Sequence, residues 1–351
     1  MAGEMRIALG QFNQLTEEKL IYAKQLGVGS IQMNLLGHSS LPGAHRWEYE
    51  DLLALRLKTE EHGLTFEAIE NVPLHFYDKV MLGAPGRDEQ LEHYCATIRN
   101  MGRAGIPILG YHFMPNSVWR TSRTAPGRGG AHVTAFDQAL VDRAAPAERR
   151  NFVGVKGAVL DEMFATYQEH MVTAAQMWEN YAYFLKAVLP VAEAAGVTLA
   201  LHPDDPPMES LGGVARIFKS VDDFKHGHEL AHGSPAWALD LCLGCCSEMP
   251  GGAANVRAMI EHFGPLGRIA YVHFRDVQGT VPQFAECFIG EGNYNAAAVM
   301  LLLKRCGFTG FLLDDHVPHM VDDTLWAHRG RAHAIGYMQG LLDAIATLSS
   351  E

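Results

Sequence analysis

A closed (β/α)8 barrel forming a single domain over residues 1–351 is the fold this sequence predicts, and three observations predict it. Short apolar runs alternate with longer segments of helical spacing, the alternation repeats eight times, and several helical segments end in glycine directly before the next apolar run. Apolar strands separated by helices indicate a parallel sheet covered on its outer side, and eight such units close into a barrel.

The units follow in order. "RIALGQF" precedes "TEEKLIYAKQLG", "SIQMNLL" precedes "YEDLLALRLKTEEHG", and "TFEAIENV" precedes "RDEQLEHYCATIRNMGRAG". "IPILGYHFM" opens the fourth unit, whose helix "WENYAYFLKAVLPVAEAAG" arrives only after an interruption. "TLALHPD", "AWALDLCLG", "IAYVHFRDV" and "FLLDDHV" open the last four. Gly27, Gly63, Gly105, Gly196 and Gly307 stand where helix C-terminal caps are needed to release the chain into the next strand. The interruption, residues 115–176, contains "TAPGRGGAH" and "RAAPAERR" and reads as an insertion after the fourth strand, lying over the barrel mouth. A doubly wound sheet would need a glycine-rich phosphate turn after the first strand, and "ALGQFNQ" is not one.

Composition narrows the function. An apolar fraction of 48% in 351 residues is ample for a large core. A formal charge of −12 argues against a nucleic-acid partner, and "WRTSRTAPGRGG" reads as a loop rather than a basic stripe. No run approaches the roughly 20 apolar residues of a membrane span. The N-terminus lacks the pattern of a secretory signal. Six cysteines in apolar contexts read as reduced thiols. These features predict a soluble cytoplasmic protein that acts on a small molecule and associates as a homo-oligomer.

Chemistry in a parallel barrel sits at the carboxyl ends of the strands. Those ends carry Glu70 and Asn71, His112, His202 with Asp204 and Asp205, Cys242, His273 with Arg275 and Asp276, and Asp314, Asp315 and His316. The last four strands together offer two imidazoles, a thiolate and a carboxylate from Asp314 or Asp315, a plausible set for one divalent ion. Mn²⁺, Co²⁺, Fe²⁺ and Zn²⁺ all suit that mixture. The run Cys242-x-x-Cys245-Cys246 lacks a second cysteine pair for a zinc finger. Cys242 ends a strand rather than opening a helix, which disfavours a thioredoxin-like couple. Cys245 and Cys246 read as packing residues.

At these residues the chain resembles the D-mannonate dehydratases of the xylose-isomerase-like barrel group. The resemblance covers most of the chain and is densest in "AIENVPLH", "RDEQLEHYCATIRNMGRAGIP", "FMPNSVW", "VLPVAEAAGVTLALHPDDPP", "VHFRDV" and "DDHVP". It implies a Mn²⁺-type site held by His202, Cys242, His273 and Asp315, the last because it directly precedes His316. It also implies dehydration of a sugar acid, D-mannonate to 2-keto-3-deoxy-D-gluconate. His316 is then the candidate for proton transfer. Arg275 is a candidate for pairing with the substrate carboxylate, or else a salt bridge to Asp276 or Asp205. Asp204 and Asp205 would orient His202, with Asp205 also facing substrate, and Glu70 and His112 would line the substrate.

The chain departs from that family where its members carry a Gly-Arg step after the Asp-His pair and a tyrosine-bearing segment beyond it. Ile7 and Ala8 replace an aromatic pair, and His112 stands in place of an amide. These departures favour, as an alternative, a metal-dependent sugar or polyol isomerase or epimerase.

Overall fold

The computed structural model describes residues 4–36, 41–154 and 171–348. Its strands are β1 (Arg6–Leu9), β2 (Ser30–Asn34), β3 (Thr65–Glu70), β4 (Ile108–Tyr111), β5 (Ser122–Pro126), β6 (His132–Asp137) and β7 (Thr198–Leu201). They continue with β8 (Ser210–Leu211), β9 (Val214–Ala215), β10 (Trp237–Cys242), β11 (Ile269–His273), β12 (Asp276–Thr280), β13 (Gln283–Cys287) and β14 (Phe311–Leu313). Eight of them close into a barrel in the order β1-β14-β11-β10-β7-β4-β3-β2, every neighbour parallel. Each of the eight expected apolar runs contributes one barrel strand.

Local chemistry explains the element boundaries. Thr16 and Ser220 cap their helices by accepting the backbone N–H groups of Lys19 and Asp223, and Thr173 forms a capping box with Gln176. The five glycines expected as caps all adopt left-handed backbone, with φ between 66° at Gly196 and 79° at Gly307.

Strand interiors are buried on both faces, as the six buried side chains of β10 show. Inside the barrel, Ala8, Ala68 and Ala200 leave room for Tyr271 and Phe311, whose rings stack 4.9 Å apart. Gly110 completes this fit, because a Cβ there would lie 2.3 Å from the Tyr271 hydroxyl. The larger apolar cluster lies between the barrel and its helices.

Two expectations are corrected by the second sheet, which has the order β12-β13-β6-β5. "IAYVHFRDV" is two strands rather than one, since β11 stops at His273 and β12 begins at Asp276 in antiparallel pairing with β13. The stretch expected as an arginine-rich loop contains β5, paired with β6. Neither strand alternates clearly in sequence, and β6 finds its other partner in β13, near residue 284. Two sequence-local hairpins, β5–β6 and β12–β13, are thus joined into one sheet by the long-range pairing of β6 with β13. A bridge from His132 to His319 ties this sheet to the loop after β14. Of the expected insertion, residues 155–170 lie outside the described residues, and the helix Ala174–Ala195 already begins within its last part.

Candidate active site

Four donors come from four barrel strands that are consecutive neighbours. Register aligns Cys242 on β10 with His273 on β11, and His273 in turn with Leu313 on β14. His202 follows β7 by one residue, and Asp315 follows β14 by two. One ligand atom from each of His202, Cys242, His273 and Asp315 lies within 4.8 Å of all the others, and all four residues are buried. Asp314 does not join them, because it pairs with Arg331 at 2.7 Å.

The hydrogen bonds around these side chains leave one ring nitrogen of each imidazole facing the cluster. His202 Nδ1 donates to the Pro203 carbonyl at 2.7 Å, so Nε2 is the nitrogen left for the cluster. His273 Nε2 donates to Glu70 at 2.9 Å, while its buried Nδ1 has no hydrogen-bond partner and lies 3.8 Å from Asp315. An orphaned, fully buried nitrogen beside a thiol and a carboxylate fits a divalent ion, as does the mixed set of two nitrogens, sulfur and oxygen. Burial works against a thiolate at Cys242. The Cys245 hydrogen bond, the Arg275 charge, and His202 and His273 nevertheless hold its pKa well below that of a free thiol. Burial also works against charge on His202, but Asp240 and Cys242 push its pKa up to about 10.

Glu70 lines the cavity above the cluster and is also bound into a hydrogen-bond network. Its oxygens accept from Gln11, Gln32, Asn34, Asn71 and His273, so it fixes the His273 ring. Gln11 adopts a left-handed φ of 61° next to this network.

Arg275 follows the second of its two readings, the salt bridge to Asp205. Nε donates to Asp315 at 2.9 Å, Nη1 to Glu248 at 2.8 Å and Glu286 at 3.3 Å, and Nη2 to Asp205 and to Cys245 Sγ, both at 3.0 Å. All five N–H groups are engaged and the side chain is fully buried, so none remains for a substrate carboxylate. Asp276 is not its partner, since that carboxylate accepts backbone N–H groups of Val277, Gly290, Gly292 and Asn293. Arg275 instead holds Asp315 in the cluster.

Asp205 is engaged by two guanidinium groups, Arg275 and Arg120, and Asp204 accepts from the Phe218 backbone. Neither orients His202, whose Nδ1 partner is a carbonyl. The expectation failed because the Arg120 and Arg275 partners lie 85 and 70 residues away from Asp205.

Above the cluster opens a cavity of about 480 Å³, lined by Glu70, His112, Arg120, Arg123, His202, Asp205, Asp315 and His316 among others. Ser117, Val118, Thr134 and Gly154 of the interrupting segment line it too. His316 is 38% exposed there, with Nδ1 donating to Glu286 at 2.6 Å and Nε2 3.6 Å from Asp315. Burial opposes charge on His316, yet Asp315 and Glu286 outweigh it and raise the pKa. His112 accepts the Met114 N–H at Nδ1, and its burial, with His202 and Arg216 nearby, lowers its pKa to about 3. It is therefore a neutral wall of the cavity.

The cysteine run divides differently from expectation. Cys242 ends β10 and also caps the helix Leu243–Glu248, so the Cys-x-x-Cys does sit at a helix start. The six cysteines are nonetheless free thiols. Cys246 packs in the apolar core, whereas Cys245 is polar in its contacts: its N–H donates to Cys242 Sγ and its sulfur accepts from Arg275.

Glu286, Glu248 and Arg120 escaped the reading of the sequence. None lies at the end of a barrel strand. Only Glu286 carried a usable signal, an acidic residue within the alternating "QFAEC".

An eight-stranded parallel barrel with a buried N,S,N,O donor set at its carboxyl end defines a TIM-barrel protein with a candidate metal centre. The solved L-ribulose 3-epimerase shares this fold at TM-score 0.58 and 17% identity, over 99% of this chain and 97% of that one. The family model described as D-mannonate dehydratase (UxuA) matches residues 5–351, and the chain belongs to that family. Mannonate dehydratase 2 of Halalkalibacterium halodurans is 29% identical over 361 aligned residues, 98% of this chain and 100% of the relative. The mannonate dehydratase of Thermotoga maritima is 31% identical over 330, 87% and 88% of the two chains. The crystal structure of mannonate dehydratase from Streptococcus suis superposes at TM-score 0.85 with 28% identity, covering 99% of this chain and 97% of that one. Membership places the chain among the hydro-lyases rather than the isomerases. Among the described residues, no helix is long and apolar enough to cross a membrane.

Proposed function

We propose that this chain dehydrates a sugar acid of the D-mannonate type to the 2-keto-3-deoxy product, using Mn²⁺ held by His202, Cys242, His273 and Asp315. The observation carrying this reading is that the four-donor cluster opens into the same cavity as His316, in a chain of this family. A bound divalent ion would supply positive charge for the enediolate that develops when the proton next to the carboxylate is removed.

The remaining work falls to the chain's own groups. His316 moves the proton through Nε2, because Glu286 holds Nδ1 and so fixes both tautomer and ring orientation. Arg275 and Glu70 keep Asp315 and His273 in place. Five of the six free cysteines are buried, which suits a reducing compartment, and we place the activity in the cytoplasm.

Chelation is expected to abolish turnover of D-mannonate and Mn²⁺ to restore it, with Co²⁺, Fe²⁺ and Zn²⁺ compared in the same assay. Product NMR in D₂O should show a 2-keto-3-deoxy acid. Exchange of substrate hydrogen without loss of water would contradict the reading. His316→Ala is expected to lower kcat by about 10²–10⁴ while metal content stays at the parent value. Loss of metal in that variant would assign His316 to the ligand set instead.

A further inference from the structure

Among the described residues lining the cavity, one guanidinium keeps most of its N–H groups unengaged. Arg120 donates from Nε to Thr134, from Nη1 to the Trp119 carbonyl and Asp205, and from Nη2 to Asp205 and Glu286. Arg275 is saturated as described above, and His316 is held by Glu286. Arg123, on β5, makes one hydrogen bond, from Nη2 to the Val153 carbonyl at 2.9 Å. It pairs with no carboxylate among the described residues, although it lines the same cavity as His202 and Asp315.

The backbone supplies a second observation. Ser122 pairs with Ala135 and Ala125 with Val133, so three steps along β5 face two along β6. Arg123 and Thr124 occupy this bulge. An extra residue in one strand breaks the alternation and re-aims a side chain, and bulges recur beside active sites for that reason. The cavity's own carboxylates do not claim Arg123, because Glu70 is satisfied by amides and His273, and Asp205 and Asp315 by Arg120 and Arg275. An incoming anion would meet a guanidinium with four N–H groups available.

Building on the dehydratase reading, we propose that Arg123 is a specificity-determining residue that binds the carboxylate of the sugar-acid substrate and so orients the chain of hydroxyls toward the metal-type cluster. Neutral polyols of the same length lack the group it recognises.

The test uses the Mn²⁺-loaded protein as parent, Arg123→Gln and Arg123→Lys, with Arg128→Gln as control. Arg128 sits beyond β5, pairs with Glu291 and does not line the cavity. Arg123→Gln should raise KM for D-mannonate by roughly tenfold to a hundredfold, the range of one charged hydrogen-bonding partner, while kcat changes far less. Arg123→Lys should recover part of that loss, and Arg128→Gln should match the parent. Inhibition by D-mannitol should be equal in parent and Arg123→Gln. An unchanged KM in Arg123→Gln, or an equal loss of D-mannitol and D-mannonate binding, overturns the assignment. If the parent does not dehydrate D-mannonate, the dehydratase reading fails separately. Calorimetric binding of D-mannonate to the same proteins then reads the Arg123 contribution directly, an equal Kd in parent and Arg123→Gln overturning it.

Discussion

Cys242→Ser is expected to lose bound Mn²⁺ and turnover together while the protein remains folded. The thiolate is one of four donors converging within 4.8 Å, and a serine hydroxyl at neutral pH is a far poorer ligand for a divalent ion. Removing groups that merely orient ligands costs about 10–100-fold in affinity or activity, so losing a ligand should cost at least about 100-fold. The fold should survive because Cys242 also caps the helix Leu243–Glu248, and serine is among the best capping residues. Metal analysis of the purified variant, thermal melting without added metal and initial rates together check this. Full metal occupancy with parental turnover would remove Cys242 from the ligand set and the whole donor assignment with it.

Arg275→Met is expected to produce the largest loss of stability of any single change considered. Its guanidinium bridges Asp205, Glu248, Glu286 and Asp315, all buried, and neutral methionine would leave those four carboxylates with Arg120 and the imidazoles of His316 and His273 to offset their charge. Glu248 shows the pressure already, its pKa raised to about 8 by burial and by the charge of Asp205, against the pull of Arg275 and Arg120. Breaking a buried ion pair by removing one partner costs about 3–5 kcal/mol. Chemical denaturation of the metal-free protein measures the effect without confusing it with metal affinity. A loss below about 1 kcal/mol would mean that the carboxylates take up protons or water at little cost, and the hub assigned to Arg275 would not stand.

Sequence legibility followed the range of the interactions involved. The barrel was readable because every unit but the interrupted fourth is local: an apolar run and a helical period, often closed by a glycine cap, within about 40 residues. His202, Cys242, His273 and one carboxylate of the Asp314–Asp315 pair were readable as a group because parallel strands present their carboxyl ends on one side, so position along a strand stands in for position in space; the resemblance then chose Asp315. Arg275 stayed open between a substrate carboxylate and a salt bridge for the opposite reason. Nothing near "HFRDV" chooses Asp205, 70 residues earlier, over a substrate, or indicates Glu248, 27 residues earlier. A guanidinium facing an open site and one locked among four carboxylates look alike in one dimension.

By itself, then, the sequence determined the eightfold repeat, the end of the barrel that carries chemistry and three of the residues that meet there, with the fourth narrowed to Asp314 or Asp315, since backbone periodicity and strand direction are local properties. Tertiary structure alone decided which polar side chains remain available to a ligand. Availability depends on whether partners such as Arg120, Glu248 and Glu286 have already taken a group's hydrogen bonds, and β13, which carries Glu286, pairs with β6 across more than a hundred residues of chain. That distinction separates Arg275, which is enclosed, from Arg123, which is open to the cavity.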